Sequence, residues 1–379
     1  MIHNIYKYDD IYANVHTSSF EVPSGVNEYH VIINIISSSL SFEEQLNCVY
    51  KAEERVKNEE NLCSSELVFK RYFLSDILNQ STIIKKERTC AVSYIQQPPL
   101  NGSKIGIWMY FIKGVTVNKL DDTTVVTHNG YTTLFNFNMN CSNGDSYYQT
   151  RKLLENYQNI LNNNNINIAD NCIRTWFYVR DVDIQYAPMV KARKEFFEKI
   201  GLSKYTHYIA STGICGVPSN NNAILQLDAY AVGGLKKEQQ QYISALSHLN
   251  PTHEYGVTFE RATSVHYGDR DHIIISGTAS INNKGEVVHE GDVKKQTCRM
   301  WENVEMLLKE ASSSFDDVMQ IIVYLRDIAD YITVKQMFDK KFNNIPHIIT
   351  LAPVCRPKWL IEMECIAIKR VTNKKYIDF

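Results

Sequence analysis

The segment from Thr350 to Lys369, TLAPVCRPKWLIEMECIAIK, brings a thiol (Cys355), a guanidinium (Arg356) and two carboxyls (Glu362, Glu364) onto or beside one apolar stretch. Alternation reads as a strand with Leu360, Glu362, Glu364 and Ile366 on one face, which sets the two carboxyls ~7 Å apart. Burial among apolar residues raises a carboxyl pKa, and a like charge nearby raises it again. A carboxyl kept neutral near pH 7 is a general acid. The competing reading is a solvent-facing edge strand whose glutamates aid solubility.

Other groups carry weaker signals. Ser211-Thr212-Gly213 is a small-residue corner that admits a ligand to backbone N–H groups, or an ordinary turn. Tyr178 and Tyr208 can donate hydrogen bonds, although in a chain with 23 tyrosines the core is the default place for each. The 11 histidines form no H-x-x-x-H pair, and neither a nucleophile elbow nor a P-loop is present. Metal hydrolysis, a serine triad and nucleotide hydrolysis therefore have no support.

The elements that must position these groups follow from a repeat. Gln296 to Asp327, QTCRMWENVEMLLKEASSSFDDVMQIIVYLRD, lies over Gln149 to Asp181, QTRKLLENYQNILNNNNINIADNCIRTWFYVRD. Both open on QT, share EN and close a strand with Arg-Asp. A weaker copy runs from Gln45 to Asp76. Three units result, near 28–115, 130–235 and 255–370, with domains drawn at 1–125, 126–250 and 251–379. Residues 1–27 and the tail from Arg370 read as decoration.

In the third unit Val293, Thr297, Met300, Trp301, Val304, Leu307, Leu308 and Ala311 recur at helical steps behind Asp292, a natural cap. MQIIVYL is a strand, Tyr331 to Phe342 a second helix, and a Pro-bounded loop precedes LIEMECIAI. The unit is β-β-α-β-α-β, an α+β fold whose mixed sheet carries both helices on one face and must bury the other. Sibling units are the natural cover, arranged as an internal pseudo-trimer or as a two-lobed chain. The Asn run at 162–165 falls in a helix-to-strand loop.

The bulk numbers agree with a soluble globular protein. With 379 residues, 44% hydrophobic and 22% charged, the chain fills a core of more than one unit. It shows neither a membrane span nor a signal-peptide layout, so a cytoplasmic location is expected. Net charge is −2 with dispersed Lys and Arg, which gives no nucleic-acid footprint. Nine scattered cysteines without a C-x-x-C pair fit reduced thiols.

ISGTASI, the QT and EN helix, VYLRD and IEMECIAI together resemble the YjgF/Rid (endoribonuclease L-PSP-like) proteins, small α+β subunits that trimerise with active sites in the clefts between them. A longer chain with RTWFYVRD at 174–181, ASTGI at 210–214, FERA at 259–262 and CRPKWLIEME at 355–364 resembles the chorismatase branch, in which an N-terminal portion precedes the Rid-like one. The resemblance implies removal of the enolpyruvyl group of chorismate as pyruvate, leaving a hydroxybenzoate or a dihydroxycyclohexadiene carboxylate, with no cofactor and no metal. It also implies a small-molecule partner, no nucleic acid and no membrane, and a monomeric pseudo-trimer or a homo-oligomer.

By position, the resemblance makes Glu362 the acid that protonates the enolpyruvyl methylene, and Glu364 its support. Cys355, seven residues earlier, resembles the hydroxybenzoate-forming type. Ala262 resembles the hydrolytic type, so the two markers point to different products. Chorismate carries two carboxylates, which call for guanidinium groups: Arg356, Arg261 and Arg174 first, then Arg193. The repeat puts Gln226 and Gly106 opposite Glu362, so one working cleft per chain is expected. Two alternatives stand beside this reading. A Rid-type enamine or imine deaminase would hold its substrate with an arginine about fifteen residues before the acid, where this chain has His347. A non-catalytic small-molecule-binding protein of the same fold is the other.

Overall fold

A computed structural model, describing residues 1–23, 25–87, 89–120 and 123–379, shows three mixed sheets that repeat one strand order. The first contains β1 (Ile2–Tyr8), β2 (Ala13–Phe20), β3 (Asn27–Ile35), β4 (Glu66–Leu74), β5 (Ala91–Gln96) and β6 (Ile105–Lys113), in the order β1-β2-β3-β6-β4-β5. Helix α1 (Phe42–Glu59) precedes β4, and the short α2 (Ile77–Gln80) follows it.

The second sheet, β7-β8-β9-β13-β10-β11, uses β7 (Thr116–Leu120), β8 (Thr123–His128), β9 (Tyr131–Asn140), β10 (Cys172–Val179), β11 (Ala210–Cys215) and β13 (Leu225–Gly233). Its helices are α3 (Ser146–Asn162), α4 (Ile168–Asn171) and α5 (Val182–Lys199), and the two-residue β12 (Val217–Pro218) crosses over to pair with β5. The third sheet, β14-β15-β16-β19-β17-β18, uses β14 (Gln240–Ile243), β15 (Ala262–His266), β16 (Arg270–Ala279), β17 (Val318–Leu325), β18 (His347–Leu351) and β19 (Ile361–Arg370), with helices α6 (Val293–Glu310) and α7 (Tyr331–Lys341).

The conserved spacing of the internal repeat has a physical cause. In each unit the glutamine that opens the repeat pins its helix to the approach of the last strand. Gln45 accepts from Lys104 N–H, Gln149 from Ile224 N–H and Gln296 from Leu360 N–H, at 2.8, 2.8 and 2.9 Å. Their amide groups donate to carbonyls of the preceding turn, at Leu40, Gly144 and His289. The threonines of QT close onto the helix, Thr150 onto Ser146 and Thr297 onto Val293. Asn303 of EN donates to the carbonyls of Ala279 and Ile281, fixing α6 against β16. Asp292 caps α6 by accepting from Lys295 N–H.

Alternation then sorts the two faces of each sheet. Ile33, Ile107 and Met109 pack under α1, whereas Ile32, Trp108 and Tyr110 face a centre shared by all three sheets. Phe69, Phe135, Phe137, Trp176 and Tyr230 fill that centre with edge and tilted ring contacts. The sheets are joined at their edges by backbone bridges, Ile214 to Val354 and Pro99 to Thr350. The α+β pseudo-trimer read from the repeat is therefore the fold, in one chain.

Four details differ from the sequence reading. Residues 1–27 are not decoration, because β1 and β2 complete the first sheet. The tail is not decoration either: Phe379 is buried against Tyr267, His272 and Arg270. The Pro-bounded loop of the third unit contains β18, parallel to β17. Hydrogen bonding also assigns 116–120 to the second sheet and 240–243 to the third, so divisions at 125/126 and 250/251 detach β7 and β14 from their sheets. The run at 162–165 closes α3 in a turn, with Asn165 at φ 59°, as a helix-to-strand connection should. No helix among the described residues is long and apolar enough to cross a membrane.

Candidate active site

Glu362 stands on β19, an interior strand between β16 and β17, and not on a sheet edge. Its backbone neighbours are Ala279 and Tyr324. The carboxyl points into a cleft between the third sheet and strand β11 of the second, and is only 5% exposed. Gly277 makes room for it: a Cβ there would lie 2.2 Å from Glu362 Oε1, so any larger residue displaces the carboxyl.

Two residues along the same face, Glu364 is fully engaged. Arg174 Nη2 donates to its Oε2 at 2.7 Å, Thr212 Oγ1 to Oε2 at 2.5 Å, and Trp176 Nε1 to Oε1 at 2.6 Å. Gly277 N–H in turn donates to Thr212 Oγ1 at 2.9 Å. The pair therefore divides its labour. Glu364 is a buried, compensated charge, while burial and then that charge push Glu362 up to about 8, against the opposing pull of Arg174 and Arg261.

The cleft beside Glu362 encloses about 30 Å³ and is lined by eight of the residues singled out from sequence: Glu362, Cys355, Arg356, Arg261, Arg193, Ser211, Thr212 and Gly213. Ser211 and Thr212 come from β11, which runs parallel to β10, and Ser211 Oγ accepts from Thr175 and from Arg193. Arg193 on α5 also reaches Thr258 at 3.1 Å. Arg261 is anchored on Asn250, whose carbonyl and side-chain oxygens accept from its guanidinium at 3.1 and 3.2 Å. Arg356 lies over the Trp359 ring. Burial, together with the neighbouring Glu362 charge, pushes the Cys355 thiol up to about 12, so it is a neutral thiol and not a thiolate.

Four expected residues do not line this cleft. Arg174 is behind it, spent on Glu364. Ala262 begins β15 and is buried opposite Ile275, with Arg261 instead presenting its side chain. Tyr178 follows Arg174 and Trp176 on the inward face of β10, so alternation carries it into the centre beside Arg71 and Asp228. Tyr208 lies outside as well, its N–H bonded to Glu260.

Sequence reasoning missed Gly277 and Tyr186. Gly277 sits in the quoted ISGTASI, where its closeness to the acid had no local signal. Tyr186, on α5, is one tyrosine among many; in the fold it covers Gly213, where a Cβ would lie 2.8 Å from its ring, and it hydrogen-bonds Cys355. Tyr186, Val257, Cys355 and Arg356 form a wall shared with an outer cavity of about 490 Å³ that also carries Lys191 and Lys194. The inner chamber has room for a water; anything larger must occupy both cavities.

Residues 262–369 match the endoribonuclease L-PSP family. A RutC family protein of Pyrococcus abyssi is 38% identical over 100 residues, which is 26% of this chain and 78% of that protein. A 3-hydroxybenzoate synthase of Streptomyces hygroscopicus is 26% identical over 212 residues, 50% of this chain and 62% of that one. The crystal structure of a chorismatase superposes with a TM-score of 0.63 at 17% identity, covering 80% of this chain and 93% of that one.

Proposed function

The chain belongs to the YjgF/Rid (endoribonuclease L-PSP-like) superfamily and has the chorismatase fold, and from that premise we propose that it is a chorismatase-like enzyme releasing the enolpyruvyl group of chorismate as pyruvate. The observation that carries the proposal is the placement of Glu362, buried two residues from Glu364 in a cleft edged with three arginines, where burial and then the Glu364 charge push its carboxyl up to about 8.

In this mechanism Glu362 donates its proton to the methylene carbon of the enol ether. The C=C electron pair forms the new C–H bond, and positive charge develops on the adjacent carbon, shared with the ether oxygen. Water adding to that carbon returns a proton to the Glu362 carboxylate and gives a hemiketal, whose collapse breaks the bond to the ether oxygen and frees pyruvate and a ring hydroxyl. A hydroxyl of the ring adding there instead returns its proton to the carboxylate and gives a cyclic ketal, from which pyruvate leaves only as the original ring C–O bond and the new ketal C–O bond both break, the ring then aromatising by shifting a proton. A neutral acid suits this step because the ether itself is the electron source. The developing cation is paired with the carboxylate that Glu362 becomes.

The arginines divide between the two substrate carboxylates: Arg261 and Arg193 within, Arg356 at the shared wall. Lys191 and Lys194 in the outer cavity steer a dianion inward. Cys355, neutral and next to the acid, acts by shape and weak hydrogen bonding on which nucleophile reaches the cation. The deaminase reading finds less support. Strand register places Ser211 of the second unit where His347 stands in the third, so the position facing Glu362 offers a hydroxyl in place of the arginine such an enzyme would use.

The test is to incubate the purified protein with chorismate and couple pyruvate to lactate dehydrogenase, with the carbon skeleton left behind identified by chromatography. Pyruvate release that depends on Glu362 supports the proposal; release at the same rate from the Glu362→Gln variant, or none from the wild type, sinks it.

A further inference from the structure

The repeat creates equivalent clefts, each between the outer parallel strand of one unit and the sheet of another. Register fixes the correspondence. Thr350 bridges Pro99 as Ile214 bridges Val354. His347, Ile348 and Ile349 thus stand where Ser211, Thr212 and Gly213 stand beside Glu362, and Asn101 stands where Arg356 does. On the facing strands Gly106 pairs with Phe73, Gln226 with Tyr178 and Glu362 with Tyr324, so these three are equivalent as well.

The three clefts have diverged. Between the first and second units, Gln226 donates to Ser93 at 2.9 Å, and β12 pairs across onto β5. Between the third and first units, Ile348 fills the place of the acid: its Cδ1 would lie 2.5 Å from a Cβ at Gly106. The deep end is plugged, yet the outer part stays open at about 330 Å³, against about 30 Å³ beside Glu362. That is a size suited to a small ligand.

We propose that this cleft, walled by Lys7, Asn14, His16, Asn34, Lys335 and His347, is a second small-molecule site, for a hydroxylated monocarboxylate. Charge sets the first half of that assignment. Three guanidinium groups edge the Glu362 cleft, but here there are two ammonium groups, and Lys335 is paired with Asp339. Lys7 makes no ion pair among the described residues, which leaves one net positive charge for one carboxylate.

Hydrogen-bonding capacity sets the second half. His347 Nδ1 lies 2.9 Å from the Ile345 carbonyl, which only accepts, so Nδ1 carries the proton and Nε2 is an acceptor. His16 Nδ1 is buried without a partner. Burial keeps both rings neutral at physiological pH, lowering His347 and bringing His16 down to about 4. Asn34 has its amide nitrogen committed to the His347 carbonyl at 3.2 Å, so its oxygen is what it presents. The acceptors at His347 Nε2 and Asn34 Oδ1 call for O–H donors, hence hydroxyls on the ligand. Ile349 and the Tyr331 ring supply apolar surface for a ring face.

The site stands independently of chorismate cleavage, and so does its test. Shikimate, a ring monocarboxylate with three hydroxyls, is titrated calorimetrically into the full-length protein, with benzoate as the hydroxyl-free counterpart. Shikimate should bind the wild type and an Arg261→Met variant alike. Lys7→Met, at an exposed position whose side chain makes no ion pair among the described residues, should weaken it roughly tenfold or more, the value of a hydrogen bond to a charged group, with its melting temperature checked. His347→Leu, with its melting temperature checked, should weaken it similarly. Absence of shikimate binding, loss in Arg261→Met with retention in Lys7→Met, or benzoate binding as tightly as shikimate would each overturn the assignment.

Discussion

Replacing Glu364 by glutamine removes a charge from behind Glu362 while leaving an oxygen to accept from Arg174, Thr212 or Trp176. On alternate residues of one strand face the two carboxyls are ~7 Å apart, and at an effective dielectric of about 20 their repulsion is about 2.4 kcal/mol, or roughly 1.7 pKa units. Arg174 and Arg261 remain and pull the same way. Glu362 should therefore fall from about 8 to the neighbourhood of 6. At pH 7.5 the protonated fraction drops from about three quarters to under a tenth, so pyruvate release falls by about tenfold there. Because the lost quantity is a protonation state, most of the rate returns at pH 5.5. The assay is a pH profile of kcat/KM for wild type and variant, with melting temperatures recorded in parallel. A uniform loss at every pH, with the basic limb unmoved, would show that Glu364 only supports the strand and that the repulsion argument is wrong.

Further expectations concern the same cleft. A carboxyl raised above its unfolded value binds more protons folded than unfolded, so its contribution is present below pH 4.5 and is lost as pH rises toward 8. Glu362→Gln escapes that loss, and denaturant unfolding at pH 8.5 should find it more stable than wild type by up to about 4 kcal/mol, with little difference at pH 4. Cys355, raised to about 12, should resist iodoacetamide at pH 7.5 while exposed Cys63 and Cys298 are alkylated, as peptide mass spectrometry can resolve; rapid Cys355 alkylation would contradict a neutral thiol. Gly277→Ala forces Cβ against Glu362 Oε1, which should cost about 1–3 kcal/mol and lower kcat far more than it raises KM. Arg261→Met should do the reverse, raising KM for chorismate by roughly 10–100-fold, read from initial rates.

What could be read from the sequence divides along a physical line. Contacts made within one unit leave a periodic trace, and the glutamine, threonine and asparagine of the repeated segment were visible because each unit must solve the same problem of fastening a helix to its last strand. The acid pair was visible for a related reason: only one copy of that strand carries Glu362, and departure from a repeat marks a residue that packing did not require. Contacts between units leave no such trace. Tyr186, Thr212 and Arg193 reach the Glu362 cleft from the second unit, some 150 to 175 residues earlier in the chain, and nothing local distinguishes Tyr186 from Tyr178, which alternation turns into the centre. Arg174, expected at a substrate carboxylate, is paired with Glu364 instead, because a buried charge must be compensated before any substrate arrives. The same demand is met by Arg71 and Asp228 one interface away, where no acid needs tuning. The ion pair is thus older in logic than the reaction: it joins units, and in one cleft its carboxylate also keeps a neighbouring proton in place.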